Sequence, residues 1–152
     1  DYQPGDIKNI PGPRIGFFGT LDKHTVDVEL IGKVAELLPD MSFVFVGKAA
    51  ANYETLANKE NIYLLGMKPY DKIPAYGRCF DVCVMPWQQT EWIQACNPVK
   101  LKEYLALGKP VVSTPFQELN KYRDVVYQAR DPQEFAQQIK KSLAENCFEK
   151  IR

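Results

Sequence analysis

No stretch of the 152 residues approaches the roughly 18 consecutive apolar residues of a membrane-crossing helix. Neither sign of charge is in excess: 19 Lys and Arg face 19 Asp and Glu. A nucleic-acid binder that works by neutralising phosphates would be more basic, so no nucleic-acid partner is expected, although a small basic pocket remains open. Histidine occurs once, as His24, and the four cysteines (Cys79, Cys83, Cys96, Cys147) form no C-x-x-C pair. Zinc sites ask for other spacings, so no metal is expected. The thiols read as reduced, as in a cytoplasmic protein. Two phosphate-binding signatures are also missing. There is no G-x-G-x-x-G and no G-x-x-x-x-G-K-[ST], which weakens a dehydrogenase or ATPase reading. No signal-peptide pattern opens the chain, and its first residue is Asp1 rather than Met, which suggests an excised fragment or a processed product.

What is present suits one folded domain. The hydrophobic share is 45% and the charged share 25%, an ordinary globular balance. Residues 1–13 carry Pro4, Gly5, Pro11, Gly12 and Pro13, a linker composition. From residue 14 to 152 the chain alternates short apolar runs with helical periodicity. Strands are expected at 14–19, 41–46, 62–65, 81–85, 110–114 and 125–128. Helices are expected at 26–38, 53–59, 70–76 (interrupted at Pro74), from Pro98 to about Leu107 with Gly108 just beyond its end, and from Asp131 to about Glu145. Asp131 and Glu134 have the spacing of a capping box. Strict alternation of strand and helix predicts an α/β fold, a Rossmann-like parallel sheet with helices on both faces. Ligands of such sheets bind at the carboxyl ends of the strands.

Two segments at those ends hold candidate residues. The first loop, Gly19-Thr20-Leu21-Asp22-Lys23-His24-Thr25, offers backbone N–H groups and a lysine beside a helix start, which suits an anion. A plain surface turn is the competing reading, and His24 receives no acid–base role. The second segment runs from Thr90 to Val112. Pro98 fixes a helix start whose free N–H groups suit a diphosphate. Lys100 places a cation where the helix dipole favours an anion, which hints at an anionic partner. Glu103 lies three residues on, on nearly the same face, and suits a sugar diol. Alternatively, Lys100 and Glu103 form a surface pair of small energetic consequence.

The run Asn97-Pro98-x-Lys100-x-x-Glu103-Tyr104-x-Ala106-x-Gly108-Lys109-Pro110-Val111-Val112 resembles the C-terminal half of the family-4-like (group 1) GT-B glycosyltransferases. Asn61-Ile62-Tyr63-Leu64-Leu65-Gly66 and the segment from Tyr70 to Trp87 resemble two further motifs of that family, and the likeness covers roughly Arg14 to Leu143. The resemblance implies a nucleotide-sugar-binding domain, the second half of a GT-B architecture, with residues 1–13 as the linker remnant. It implies that Glu103 holds the ribose hydroxyls and that Asn97, Pro98, Val99 and Lys100 face the diphosphate. Gly19 and Thr20, with Lys23 near them, would approach it from the other side, and Gly66 and Met67 would read the base. Departures are evident. An earlier family glutamate is replaced by Ala95, with Glu91 the nearest upstream acid, and a family Arg and Lys of the first loop fall on Thr20 and Thr25.

The implied function is hexosyl-type transfer from a UDP- or GDP-sugar to a glycan or lipid-linked acceptor, in polysaccharide biosynthesis in the cytoplasm. The nucleotide sugar is a substrate, so no cofactor is expected. The partner implied is the missing N-terminal acceptor-binding domain, to which any peripheral membrane contact would belong. The isolated chain is expected to be inactive. A nucleotide-sugar epimerase of the same architecture and a non-catalytic Rossmann-like binding module are the alternatives.

Overall fold

The computed structural model describes residues 4–22, 24–49, 56, 58–94 and 99–149. Six parallel strands form one sheet: β1 (Arg14–Phe18), β2 (Ser42–Val46), β3 (Ile62–Gly66), β4 (Val82–Met85), β5 (Val111–Ser113) and β6 (Val126–Gln128). Their order across the sheet is β3-β2-β1-β4-β5-β6. This is the doubly wound order of the Rossmann fold, and its switch point lies between β1 and β4. Strands β2 and β4 are buried at every residue, as expected of parallel strands covered on both faces.

Among the described residues six helices accompany the sheet: α1 (Gly5–Lys8), α2 (Val28–Leu37), α3 (Ile73–Arg78), α4 (Glu91–Gln94), α5 (Val99–Ala106) and α6 (Pro132–Glu149). Helix α2 buries Leu30, Ile31, Val34 and Ala35, spaced along one stripe, and Asp27 caps it by accepting from the Leu30 amide. Asn61 closes its other end. The Asn61 side-chain amide reaches the carbonyls of Ala35, Leu38 and Met41 at 3.0–3.1 Å. Helix α6 packs against α2. Gly108 follows α5 with a φ of 73°, the expected left-handed exit.

The structure differs from expectation in several places. Pro74 does not interrupt a helix: it sits in the first turn of α3, where its missing N–H costs nothing, after a 3-10 turn at Tyr70–Lys72. The capping box of α6 is shifted by one residue. Asp131 accepts from the Glu134 amide as expected, but Glu134 accepts from Arg130 rather than Asp131. The short α1 and α4 and a 3-10 segment at Gln117–Tyr122 have no counterpart in the sequence periodicity. The helix expected at 53–59 falls largely outside the described residues. The leading segment is packed down, with Ile7 and Ile10 in the core. Cys79 and Cys83 are free thiols, and burial raises the pKa of both, Cys83 strongly.

Candidate functional site

The carboxyl ends of β1 and β4 part. The β1–β2 ladder continues to Phe18↔Val46, whereas the β1–β4 ladder stops at Gly16↔Cys83. Because the Gly19 amide donates to Val46 on the β2 side, the N–H and C=O of Phe18 face the opening towards β4. Helix α5 fills that gap with two side chains one turn apart. The Tyr104 hydroxyl accepts from the Phe18 amide at 3.1 Å, and the Lys100 ammonium donates to the Phe18 carbonyl at 2.6 Å. Buried backbone groups need such partners, so α5 and the end of β1 are held as one unit.

Lys100 is therefore not the outer member of a surface pair. Its Nζ lies 5.1 Å from the Phe17 ring centroid and 5.6 Å from that of Phe18. Burial lowers its pKa, and the charge of Glu103 offsets that in part. Gly19 makes room for it. A Cβ on Gly19, whose φ is 136°, would stand 2.2 Å from the Lys100 ammonium. The adjacent Gly47 is held just as closely: its Cβ would lie 2.0 Å from the Gly19 carbonyl oxygen. Gly47 in turn donates to the Gly66 carbonyl at 2.9 Å. The ends of β1, β2 and β3 thus form a ledge of backbone, with Lys100 set against it.

Glu103 projects from the next turn of α5, half-buried. Its Oε2 is 3.5 Å from the Tyr70 hydroxyl. Beside it opens a cleft of about 240 Å³, lined by Phe18, Tyr70, Ile73, Pro74, Leu107 and Glu103 among others. Met67 and Tyr70 stand out from the surface, 71% and 82% exposed. A larger cavity of about 740 Å³ lies away from this region, between β6 and α6.

The structure thus brings Gly19, Lys100 and Glu103 together at the switch point, with Gly66 and Met67 on the β3 side. Thr20 is exposed on the first loop, and Val99 opens α5. Asn97, Pro98 and Lys23 lie outside the described residues, as does Ala95. The first loop is less free than its composition suggests. The Asp22 carboxylate accepts from the amides of His24 and Thr25, at 2.9 and 3.0 Å, so these two N–H groups are already committed. Asp27 likewise occupies the start of α2, accepting from the Leu30 amide at 3.1 Å. The loops after β1 and β4 are stitched together by an antiparallel bridge at Val26↔Trp87 and by the Gln88 amide on the Thr25 carbonyl at 2.8 Å. Sequence reasoning missed Tyr104 and Tyr70. The i, i+4 spacing of Lys100 and Tyr104 could have signalled the first, since it puts both on one helical face. Nothing local signals the second.

Residues 12–145 match the family model described as glycosyl transferases group 1. The chain belongs to this family. It is 32% identical over 143 residues to a curated relative in Bacillus subtilis strain 168, the putative teichuronic acid biosynthesis glycosyltransferase TuaH. That match takes in 89% of this chain but only 36% of TuaH, so the chain spans about a third of that relative's length. The fold is shared with the C-terminal domain of the group 1 glycosyl transferase LpcC of Francisella tularensis, with a TM-score of 0.71 and 19% identity over 91% of this chain and 80% of the other. It is also shared with Anabaena HepE, solved with UDP-glucose, with a TM-score of 0.72 and 18% identity over 93% of this chain and 41% of HepE.

Proposed function

We propose that this domain binds the nucleotide-sugar donor, a UDP- or GDP-sugar, in a glycosyltransferase that moves a hexosyl-type group to a glycan or lipid-linked acceptor. The acceptor site belongs to an N-terminal domain of the same longer chain, consistent with the share of TuaH and HepE that this chain covers. A role in polysaccharide biosynthesis is supported by the teichuronic acid relative, and a cytoplasmic location is proposed with it. HepE, the same fold, was solved with UDP and with UDP-glucose, which favours a uridine donor over a guanosine one.

The observation that carries this reading is the pairing of a recessed cation with a projecting carboxylate on successive turns of α5, against a backbone ledge. A diphosphate placed between Gly19 and the first turn of α5 meets the positive end of the helix dipole and the Lys100 ammonium. The anion offsets the burial of Lys100, and the fixed charge stabilises the diphosphate as it departs without reorganising. Transfer then depends on holding donor and acceptor together, which needs both domains. Glu103 lies beyond the diphosphate and accepts hydrogen bonds from the ribose diol.

Glu103→Ala removes two charge-assisted bonds. Hydrogen bonds to charged groups contribute roughly 1.5–3 kcal/mol each, so losing both should lower affinity for UDP by on the order of a hundredfold or more. Calorimetric titration with UDP and 2′-deoxy-UDP checks the assignment. The wild type prefers the ribo form and the variant loses most of that preference. A variant that keeps both affinity and preference removes Glu103 from the site.

A further inference from the structure

Tyr70 is a large aromatic side chain left 82% exposed, yet its backbone is fixed. Pro69 sets the chain direction before it, and the Lys72 amide closes the 3-10 turn on the Pro69 carbonyl at 2.9 Å. The side chain stands at the mouth of the cleft beside Glu103, with its hydroxyl at the outer limit of hydrogen bonding to that carboxylate. The rest of the cleft wall is apolar: Phe18, Ile73, Pro74 and Leu107. At about 240 Å³ the cleft is smaller than the roughly 300–1,000 Å³ of pockets that enclose whole drug-sized ligands, so it suits one flat group of a larger molecule. Tyr70 and Met67 are two of the four large hydrophobics exposed among the described residues, and both follow β3 closely.

We infer that Tyr70 is the platform on which the nucleobase of the donor stacks, and that it shares the nucleoside with Glu103. The inference rests on the proposed function: a ribose held at Glu103 leaves its base within reach of the Tyr70 ring and the apolar cleft. Stacking on an aromatic face is tolerant of base identity, because every base has a π-face. Tyr70 therefore supplies affinity for a base as such, and choice between bases falls to polar groups elsewhere.

Two probes separate this inference from the reading beneath it: UDP, and ribose 5-diphosphate, which keeps the sugar and diphosphate but has no base. Binding of each is measured to the wild type, Tyr70→Ala, Tyr70→Phe and Glu103→Ala. Tyr70→Ala should weaken UDP by roughly fivefold to a hundredfold, the range seen when a stacking aromatic is truncated, and leave ribose 5-diphosphate unchanged. Tyr70→Phe should retain UDP binding, because the ring and not the hydroxyl does the stacking. Glu103→Ala should weaken both probes. Unchanged UDP binding by Tyr70→Ala, or equal loss of both probes, overturns the role of Tyr70 while leaving the donor site standing. Loss of UDP in Tyr70→Phe assigns the effect to the hydroxyl on Glu103 and overturns stacking. A wild type that binds neither probe overturns the donor site, and the inference with it.

Discussion

Lys100 is the residue on which the electrostatics of the site turn. A lysine that donates to a backbone carbonyl, lies over two phenylalanine rings and is partly shielded from water has its charged form disfavoured, and its pKa is lowered from 10.5. A diphosphate bound as proposed reverses that preference, because it favours the ammonium. Binding therefore takes up a proton wherever free Lys100 has lost one. The sign follows: affinity is full below the lowered pKa of the free domain and falls as pH rises through it, beginning below the range of an ordinary lysine. Titrations of UDP at a series of alkaline pH values should show this fall, and Lys100→Met should bind more weakly and lose it. An affinity in the wild type that stays level to pH 10.5 would place the ammonium away from the phosphates. The sequence exposed Lys100 as a cation in an unfavourable position on a helix. Its inward path was not legible, because it depends on where the β1–β4 ladder ends.

At the scale of elements, α5 completes the sheet as well as carrying the site. Its Tyr104 hydroxyl accepts from a buried Phe18 amide that no strand reaches. Tyr104→Phe keeps the ring and orphans that amide, which costs about 1–3 kcal/mol. At this chain length each kcal/mol moves the melting point by about 2–4 °C, so calorimetry should record a fall of several degrees. An unchanged melting temperature would mean that water or a backbone shift replaces the bond. The elements themselves were largely legible. Apolar runs ending in Gly or Pro marked the strands, and Gly108 marked the end of α5. The misses have physical causes. In sequence Pro74 reads as an interruption because helix-breaking and helix-starting prolines look alike until the preceding turn at Tyr70–Lys72 is known. In sequence the amides of the first loop read as free, because the Asp22 turn that engages two of them depends on local geometry rather than spacing.

At the scale of the whole molecule, the leading segment is bound to the site region. Asp6 accepts from the Tyr76 hydroxyl and pairs with Lys68, both at 2.6 Å, and Lys68 follows Met67 in the loop after β3. Burial works against the Asp6 carboxylate, but the hydrogen bonds from Lys68 and Tyr76 outweigh it and hold its pKa below 3.8. The composition rich in proline and glycine reads as a linker, yet Ile7, Ile10 and Asp6 tie the segment to the domain, and three anchoring side chains in thirteen residues are too few to set up a periodic signal. The wider organisation follows the doubly wound sheet: three strand ends form the ledge, α5 crosses the gap between β1 and β4, and the proposed nucleotide site is where they meet. A titration of the isotope-labelled domain with UDP, followed through its backbone amide resonances, tests this placement most directly. The shifts should cluster at Gly19–Thr20, Gly66–Lys68 and Val99–Glu103. Shifts confined to α6, Pro132–Glu149, or to the cavity between β6 and α6 would contradict it.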